Sequence, residues 1–503
     1  MANMLLQFQM SDFTPFDNAK VYINGNWKVV SGREKNILIL ACKTAERAMM
    51  SIDNSDGRKP LIVNINSRGG SVDKNLVDWD FGYVQGFVGA LEVADIKYDG
   101  KLYDVKITIK SRFDGDKPFF LSYMLSQGDN LLHDWSVELG YDDLFDFLLV
   151  SVFAINLKRA AKQGLYRTYQ VFEKNDNRPK GTINFSDHIK FNTGTNNGKI
   201  AYSHRENTCD NSLNHLILHA YKHLKFRFSK RVLEIIKKDS GFNKIIINIR
   251  ENATSFPRTN VRGTIAKSLR PIAHPYYCSY EKLRHISLLI LRNRGISVFG
   301  REREKVQGIL YYIPDLWERC ISNALLKVTS RDKIQEQPLV KVMGNSTYPD
   351  FILDIGNRKI VLDAKFKPNW FDAVINGKRK NSIVLRGQNR PGRSYNLWED
   401  YNKCIRDMDA CNTNETGVIF PCSKSQFNDC NNFYGHDSYT QEQNPICLVS
   451  SYRRSEEQKG RFYCYAVYIP ETDLPIKYNT YNAWRLLMEK QLGATATGIM
   501  RQM

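Results

Sequence analysis

Between Tyr348 and Pro368 the chain reads YPDFILDIGNRKIVLDAKFKP. Two short apolar runs flank a Gly-Asn pair, a dipeptide that readily takes the positive φ angles of a tight strand reversal. The spacing predicts two adjacent antiparallel strands, FILDI and RKIVLDAK. Side chains alternate along a strand, so Asp363 and Lys365 are expected on one face and Leu362, Ala364 and Phe366 on the other. One face would then be polar and the other buried. Folding back through the turn brings Asp350, at the start of the first strand, toward Asp363, at the end of the second.

Two carboxylates held together repel each other, and burying them is costly unless a cation neutralises them. Oxygen ligands without His or Cys suit Mg²⁺ or Mn²⁺, which can polarise a scissile phosphate and lower the pKa of a bound water. Lys365 could orient that water or stabilise charge in the transition state. The combination points to metal-dependent phosphodiester hydrolysis. The same residues equally allow an ordinary hairpin with charged side chains on its wet face.

The upstream stretch IPDLWERCISNALLKV reads as a helix opened by Pro314-Asp315, and it offers Glu318 as a third acidic ligand. Asp315-x-x-Glu318 also has the form of a capping box, in which Glu318 would bond backbone N–H groups and do no chemistry. Downstream, residues 373 to 398 lack any acidic side chain and carry Lys378, Arg379, Lys380, Arg386, Arg390 and Arg393. As a block these six would draw in a DNA backbone and make binding steeply salt-dependent. Singly, each also fits an incidental surface loop.

The rest of the chain agrees with a nucleic-acid partner. Lysine and arginine outnumber aspartate and glutamate by 72 to 53, a balance of +19 that favours a polyanion such as double-stranded DNA. With 42% hydrophobic and 25% charged residues over 503 positions, the chain is expected to be globular and multidomain. The apolar stretch LFDFLLVSVFAINL is too short to span a bilayer, and MANMLLQFQMSDF has no basic n-region, so neither a membrane segment nor a secretory signal is expected. Ten scattered cysteines without a CxxC pair suit a reducing cytoplasm.

An α/β (α+β) organisation in three parts is expected. Residues 1 to 140 read as a β-rich domain, with YDVKITIK alternating at strand period. Residues 141 to 300 read as a helical region, where Leu213, Leu216, Ile217, Ala220 and Leu224 recur at helical spacing, as do Leu283, Ile286 and Ile290 before Gly295. The basic, aromatic-bearing KHLKFRFSKR (222 to 231) suits a phosphate backbone or a solvated helix face. Gly69-Gly70 lacks the GK[ST] ending of a phosphate-binding loop and reads as a turn. Residues 301 to 503 read as helix, hairpin, helix and strand.

Taken in order, these blocks resemble the McrC-like subunits of McrBC-type restriction systems. Pro349-Asp350 with Asp363-Ala364-Lys365-Phe366-Lys367 is similar to that family's PD…DAKYK block, and LWERCISNALL to its acidic helix, which places Glu318 at the first acidic position. Tyr401-Asn402 stands where the family commonly has Tyr-Gln. Upstream, KQGLYRTYQVFEKNDNRPKGTINFSDHI, ENTCDNSLNHLILHAYKHL and HPYYCSYEKLRHISLLIL are similar to further family blocks. The resemblance implies a PD-(D/E)xK nuclease domain over 301 to 503, with Glu318, Asp350 and Asp363 as metal ligands and Lys365 assisting the water. It also implies a partner, an McrB-like AAA+ GTPase ring that receives the N-terminal part of the chain. No Walker A lysine loop is present, so GTP would act only through that partner. Two other readings stay open at this point: a non-catalytic subunit that stimulates an NTPase, and a nucleic-acid-binding protein without enzymatic role.

Overall fold

Residues 3–23, 25–50, 61–65, 75–80, 82–127, 144–194, 198–227, 240–272, 274–292, 306–342, 345–356, 358–368, 370, 397–423, 426, 446–453, 459–472 and 480–501 are described by a computed structural model. The architecture is mixed α/β. It divides into two compact units, one made of Met1–Ile52, Ile62–Phe145 and Glu304–Met503, the other of Asp53–Leu61 and Asp146–Arg303.

Among the described residues, the first unit holds two large sheets and two two-stranded ribbons. Its N-terminal sheet uses β1 (Met4–Ser11), β2 (Lys20–Ile23), β3 (Asn26–Val29), β4 (Leu61–Ile65), β5 (Phe87–Tyr98), β6 (Lys101–Lys110) and β7 (Val306–Tyr312) in the order β3-β2-β1-β6-β5-β7-β4. The alternation seen in YDVKITIK is that of β6, whose Tyr103, Val105, Ile107 and Ile109 are all buried. They pack with Phe8 and Met10 of β1 and with Ile37, Leu38, Ala41 and Ala45 of helix α1 (Gly32–Met50). Past β6 the chain enters helix α2 (Phe119–Gln127), which is buried along almost its whole length.

The second sheet carries the hairpin. Strands β8 (Ile334–Glu336), β9 (Phe351–Ile355), β10 (Arg358–Ala364), β11 (Glu415–Cys422), β12 (Ile446–Arg453) and β13 (Lys459–Tyr468) run in the order β8-β9-β10-β11-β13-β12. β9 and β10 pair antiparallel with Phe351 opposite Leu362, as the spacing predicts, and Gly356 takes φ +65° at the turn. Asn357 lies outside the described residues. On its other edge β10 pairs parallel with β11, so it is an interior strand.

Both faces of that sheet are covered. Helix α3 (Ile313–Val328) buries Trp317, Ile321 and Leu325, and the Trp317 indole N–H donates to the Ile419 carbonyl at 3.3 Å. Helix α4 (Trp398–Ala410) lies on the opposite face, where its Cys404 packs with Val418, Phe420, Phe462 and Cys464. Helix α5 (Tyr481–Arg501) joins α3 on the first face. The alternative of an ordinary hairpin with a wet polar face does not hold. The alternation holds, but α4 roofs the side that carries Asp363, leaving that residue 2% exposed.

The second unit contains an antiparallel three-stranded sheet, Thr182–Ile183, Ile200–Thr208 and Thr168–Asp176 in spatial order, and the helices Phe185–Asn192, Ser212–Arg227, Ser240–Asn252, Val261–Lys267 and Cys278–Arg292. The helical spacings at Leu213 to Leu224 and Leu283 to Ile290 are core faces. LFDFLLVSVFAINL lies in the helix Leu144–Ala161 and buries Leu149, Val150, Val152, Phe153 and Leu157. No described helix is long and apolar enough to cross a membrane. Gly69-Gly70, Gly295 and residues 228–231 lie outside the described residues.

Candidate active site

Asp350 and Asp363 meet because the hairpin turns tightly and the pairing register sets their heights. The Ala364 backbone N–H donates to Asp350 Oδ2 at 2.8 Å, which fixes the first carboxylate against the strand that carries the second. Asp350's own carbonyl accepts the N–H of Gln337 at 3.0 Å. Gln337 follows the short β8 in left-handed backbone geometry, φ +43°, and its side-chain amide donates to Glu318 Oε1 at 2.9 Å. A non-glycine residue in that region is held at a cost of about 1 kcal/mol or more. What that conformation does here is tie Glu318 of α3 to the Asp350 end of the hairpin.

The capping alternative for Glu318 does not hold. α3 starts at Ile313 with Tyr312 as its N-cap, and Pro314 occupies the first turn. Asp315 is therefore inside the helix rather than at its cap. The Ile313 N–H is satisfied instead by the carbonyl of Gly86 at 2.8 Å, where Gly86 sits at φ +47° against the Pro314 ring.

Lys365 lies just past the end of β10, tied by its N–H to the Ile419 carbonyl at 2.9 Å. Its ammonium pairs with Asp363 Oδ2 and stands 3.5 Å from Asp400 Oδ1. That contact with Oδ2 is an ion pair without good hydrogen-bond geometry, so this buried carboxylate oxygen keeps unused acceptor capacity. Lys403, one turn along α4 from Asp400, donates to Asp363 Oδ1 at 2.6 Å and lies 3.7 Å from Asp350 Oδ1. Lys367 donates to both oxygens of Asp400, at 2.8 and 3.0 Å.

The electrostatics follow from this crowding. Burial, together with the neighbouring Asp363 charge, pushes the Asp350 carboxyl well above the usual carboxylate range. Burial acts on Asp363 in the same sense, but the Lys365 and Lys403 ammoniums overcome it and hold that carboxyl far below the range. Burial would lower Lys365, and the Asp363, Asp400 and Asp350 carboxylates overcome it and raise the group. Lys403 is raised for the same reason, by Asp363 and Asp350. Two carboxylates pushed apart in proton affinity by shared surroundings are a common feature of sites that do acid–base or metal chemistry.

These residues fit a divalent cation of the oxygen-loving kind. Mg²⁺ usually takes one or two protein carboxylates and keeps water or phosphate elsewhere, and Asp350 with Asp363 supplies that number. Among the described residues no three His, Cys, Asp or Glu side chains form a ready-made ligand cluster. Glu318 acts on Asp350 through its charge and is engaged by Gln337.

Lys403 and Gln337 were not anticipated. The signal for Lys403 was Asp400, Lys403 and Asp407 at helical spacing beside the apolar Cys404 and Met408; such charge triplets usually mark a solvated helix face. A second missed signal was the unbroken run Ile360, Val361, Leu362, since a strand buried on both faces reads as continuous rather than alternating. Asn402 is exposed, and the Tyr401 ring packs on Phe462 at 4.9 Å between centroids. Lys378, Arg379, Lys380, Arg386, Arg390 and Arg393 lie outside the described residues.

Two solved structures are similar to this chain. One is the refined half-complex from a tetradecameric assembly of Thermococcus gammatolerans McrB AAA+ hexamers with bound McrC; a chain of it matches at 12% identity and TM-score 0.44 over 96% of this chain and 99% of its own. The other is the cryo-EM structure of the Thermococcus gammatolerans McrBC complex, at 15% identity and TM-score 0.32 over 66% of this chain and 89% of its own. No curated protein matches the sequence. The family model described as "McrBC 5-methylcytosine restriction system component" matches residues 84–382, more than half of the chain, and that stretch includes α3, the hairpin, Asp350, Asp363 and Lys365. The chain belongs to the family of McrBC 5-methylcytosine restriction system components.

Proposed function

We propose that this chain is the nuclease subunit of a McrBC-type restriction system, a Mg²⁺- or Mn²⁺-dependent endodeoxyribonuclease of the PD-(D/E)xK kind that an AAA+ GTPase partner activates. One observation carries the reading: the Ala364 N–H holds the Asp350 carboxylate beside the strand that carries the buried Asp363, and Lys365 pairs with Asp363. Asp350 and Asp363 would hold the cation, with Glu318 adding negative charge beside Asp350. The cation, when bound, supplies Lewis-acid stabilisation of a phosphodiester oxygen and acidifies a water. Ala364 N–H fixes the orientation of Asp350. Lys365, anchored on both Asp363 and Asp400, offers a fixed ammonium for the attacking water or the phosphate.

The test combines the chain with its AAA+ partner, GTP, Mg²⁺ and plasmid DNA, comparing wild type with Asp350→Ala and Lys365→Ala. Loss of cleavage with partner GTPase stimulation unchanged is expected for both. Cleavage retained by both variants would remove the assignment, and a wild type that stimulates GTP hydrolysis without cutting would favour the non-catalytic reading.

The second unit offers a partner apolar surface to bury. In the three-stranded sheet and its following helix, Tyr169 is 74% exposed, Phe185 71%, Ile189 62% and Val171 58%. So many large exposed apolar side chains in one small substructure are unusual for a lone globular surface. Phe185→Ser combined with Ile189→Ser is expected to weaken GTPase stimulation at least about 10-fold, since each buried apolar side chain contributes about 1.5–3 kcal/mol. Unchanged stimulation by the folded double variant would remove this surface from the docking interface.

A further inference from the structure

Lys403 takes no part in the chemistry above, yet it is placed at its centre. Its ammonium touches Asp363 Oδ1 at 2.6 Å and stands 3.7 Å from Asp350 Oδ1, between the two carboxylates that would hold the cation. Asp363 thus carries an ammonium on each oxygen, Lys365 on Oδ2 and Lys403 on Oδ1. The two lysines differ in where they can go. Lys365 is held a second time by Asp400, at 3.5 Å. Lys403 faces Asp407 one helical turn further along α4, with 3.8 Å between its Nζ and Asp407 Oδ2. Asp407 is 1% exposed, and Thr347 donates to its other oxygen, so its position is set by packing rather than by Lys403.

From this geometry we propose that Lys403 is a resident counter-ion that keeps the cation's place between Asp350 and Asp363, and that divalent-ion binding drives its ammonium off them toward Asp407. The proposal rests on the nuclease reading of the site. A divalent ion and an ammonium on the same carboxylate oxygens would repel by about 2 kcal/mol at 4 Å even in bulk water, and by more in a roofed site. The ammonium is the mobile member, because a four-carbon stem can swing through several ångströms while the strand-borne carboxylates stay in place. Before loading, Lys403 relieves the repulsion between Asp350 and Asp363. The resident charge also makes metal binding a displacement, so the intact chain loads its cation weakly until the free concentration is high enough to compete.

Mn²⁺ titration of the full-length protein, read by the paramagnetic resonance of the free ion, tests this without any cleavage assay. Lys403→Met is expected to bind Mn²⁺ at least about 10-fold more tightly than wild type, because the competitor is gone. Asp407→Asn should bind it about 3-fold or more weakly, because the displaced ammonium then has no buried partner. Lys367→Met removes a cation from Asp400 but not from the two carboxylates, and should tighten binding by less than about 3-fold. Wild-type affinity in Lys403→Met, or equal tightening in Lys367→Met and Lys403→Met, would overturn the proposal while leaving the metal site intact. If thermal melting shows that Lys403→Met does not fold, Asp407→Asn decides, and unchanged or tighter binding there overturns the proposal. Mn²⁺ binding that Asp350→Ala leaves unaltered would overturn the metal site itself, and the role of Lys403 with it.

Discussion

Asp363→Asn is expected to abolish DNA cleavage and also to destabilise the fold, whereas Asp350→Ala should do mainly the first. The difference lies in what each carboxylate neutralises. Asp363 is the shared counter-ion of Lys365 and Lys403 and is 2% exposed, so its neutral replacement leaves two ammoniums facing each other under α4. Breaking a buried pair from one side costs about 3–5 kcal/mol. The lower end applies, because the Lys403 side chain is 28% exposed and can turn to water. Cleavage should fall by about 10²-fold to 10³-fold or more, the scale of removing a preorganised charge-stabilising group. Urea unfolding and the plasmid assay with partner and GTP read the two effects separately. A variant that cuts within about 10-fold of wild type would take Asp363 out of the mechanism.

Arg112→Met should cost about 3–5 kcal/mol of folding stability, one of the largest effects of a single change outside the carboxylate cluster. Arg112 lies just past β6 and reaches from the N-terminal sheet to the segment that follows β10. Its guanidinium pairs with the fully buried Asp12 at 2.8 Å and donates to the Phe366 carbonyl, one residue past Lys365, at 2.6 Å. The rings of Phe13, Phe113 and Phe366 lie 5.1, 4.6 and 4.3 Å from it. Removing the cation strands a carboxylate that burial already pushes above its usual range.

The pH dependence has a definite sign. A carboxyl whose folded-state pKa is raised binds its proton more tightly in the native state, so its stabilising contribution is fully present below the unfolded-state pKa and is lost as pH rises through the folded-state value. Without Arg112 to oppose burial, this loss toward neutral pH should be steeper in Arg112→Met than in wild type. Asp12→Asn in the Arg112→Met background should restore most of the stability, since neither buried charge remains. Urea unfolding at acidic and neutral pH measures all three. An Arg112→Met variant within about 1 kcal/mol of wild type at neutral pH would show that Asp12 finds another partner.

The parts of the site that were legible beforehand are those that depend on neighbours in the chain. Asp363 and Lys365 share a face because they are two positions apart along extended chain, and Asp350 returns to Asp363 because Gly356 allows a tight turn. The helix carrying Glu318 was legible from its Pro314-Asp315 opening, while its capping box was not real, because the helix starts at Ile313, whose N–H is taken by the Gly86 carbonyl more than two hundred residues away. A wet face for the hairpin was one of two readings that Asp-Ala-Lys allowed, and α4 excluded it by folding over that side.

Sequence alone thus determined the hairpin and the alternation of its side chains, since these follow from a turn signal and a backbone period of two residues. Tertiary structure decided that Asp363 is buried, that Lys403 reaches both carboxylates, and that Arg112 and Gln337 brace the strand and helix from elsewhere. Those outcomes depend on which surfaces meet across long stretches of chain, and a contact between distant segments leaves no period in either one.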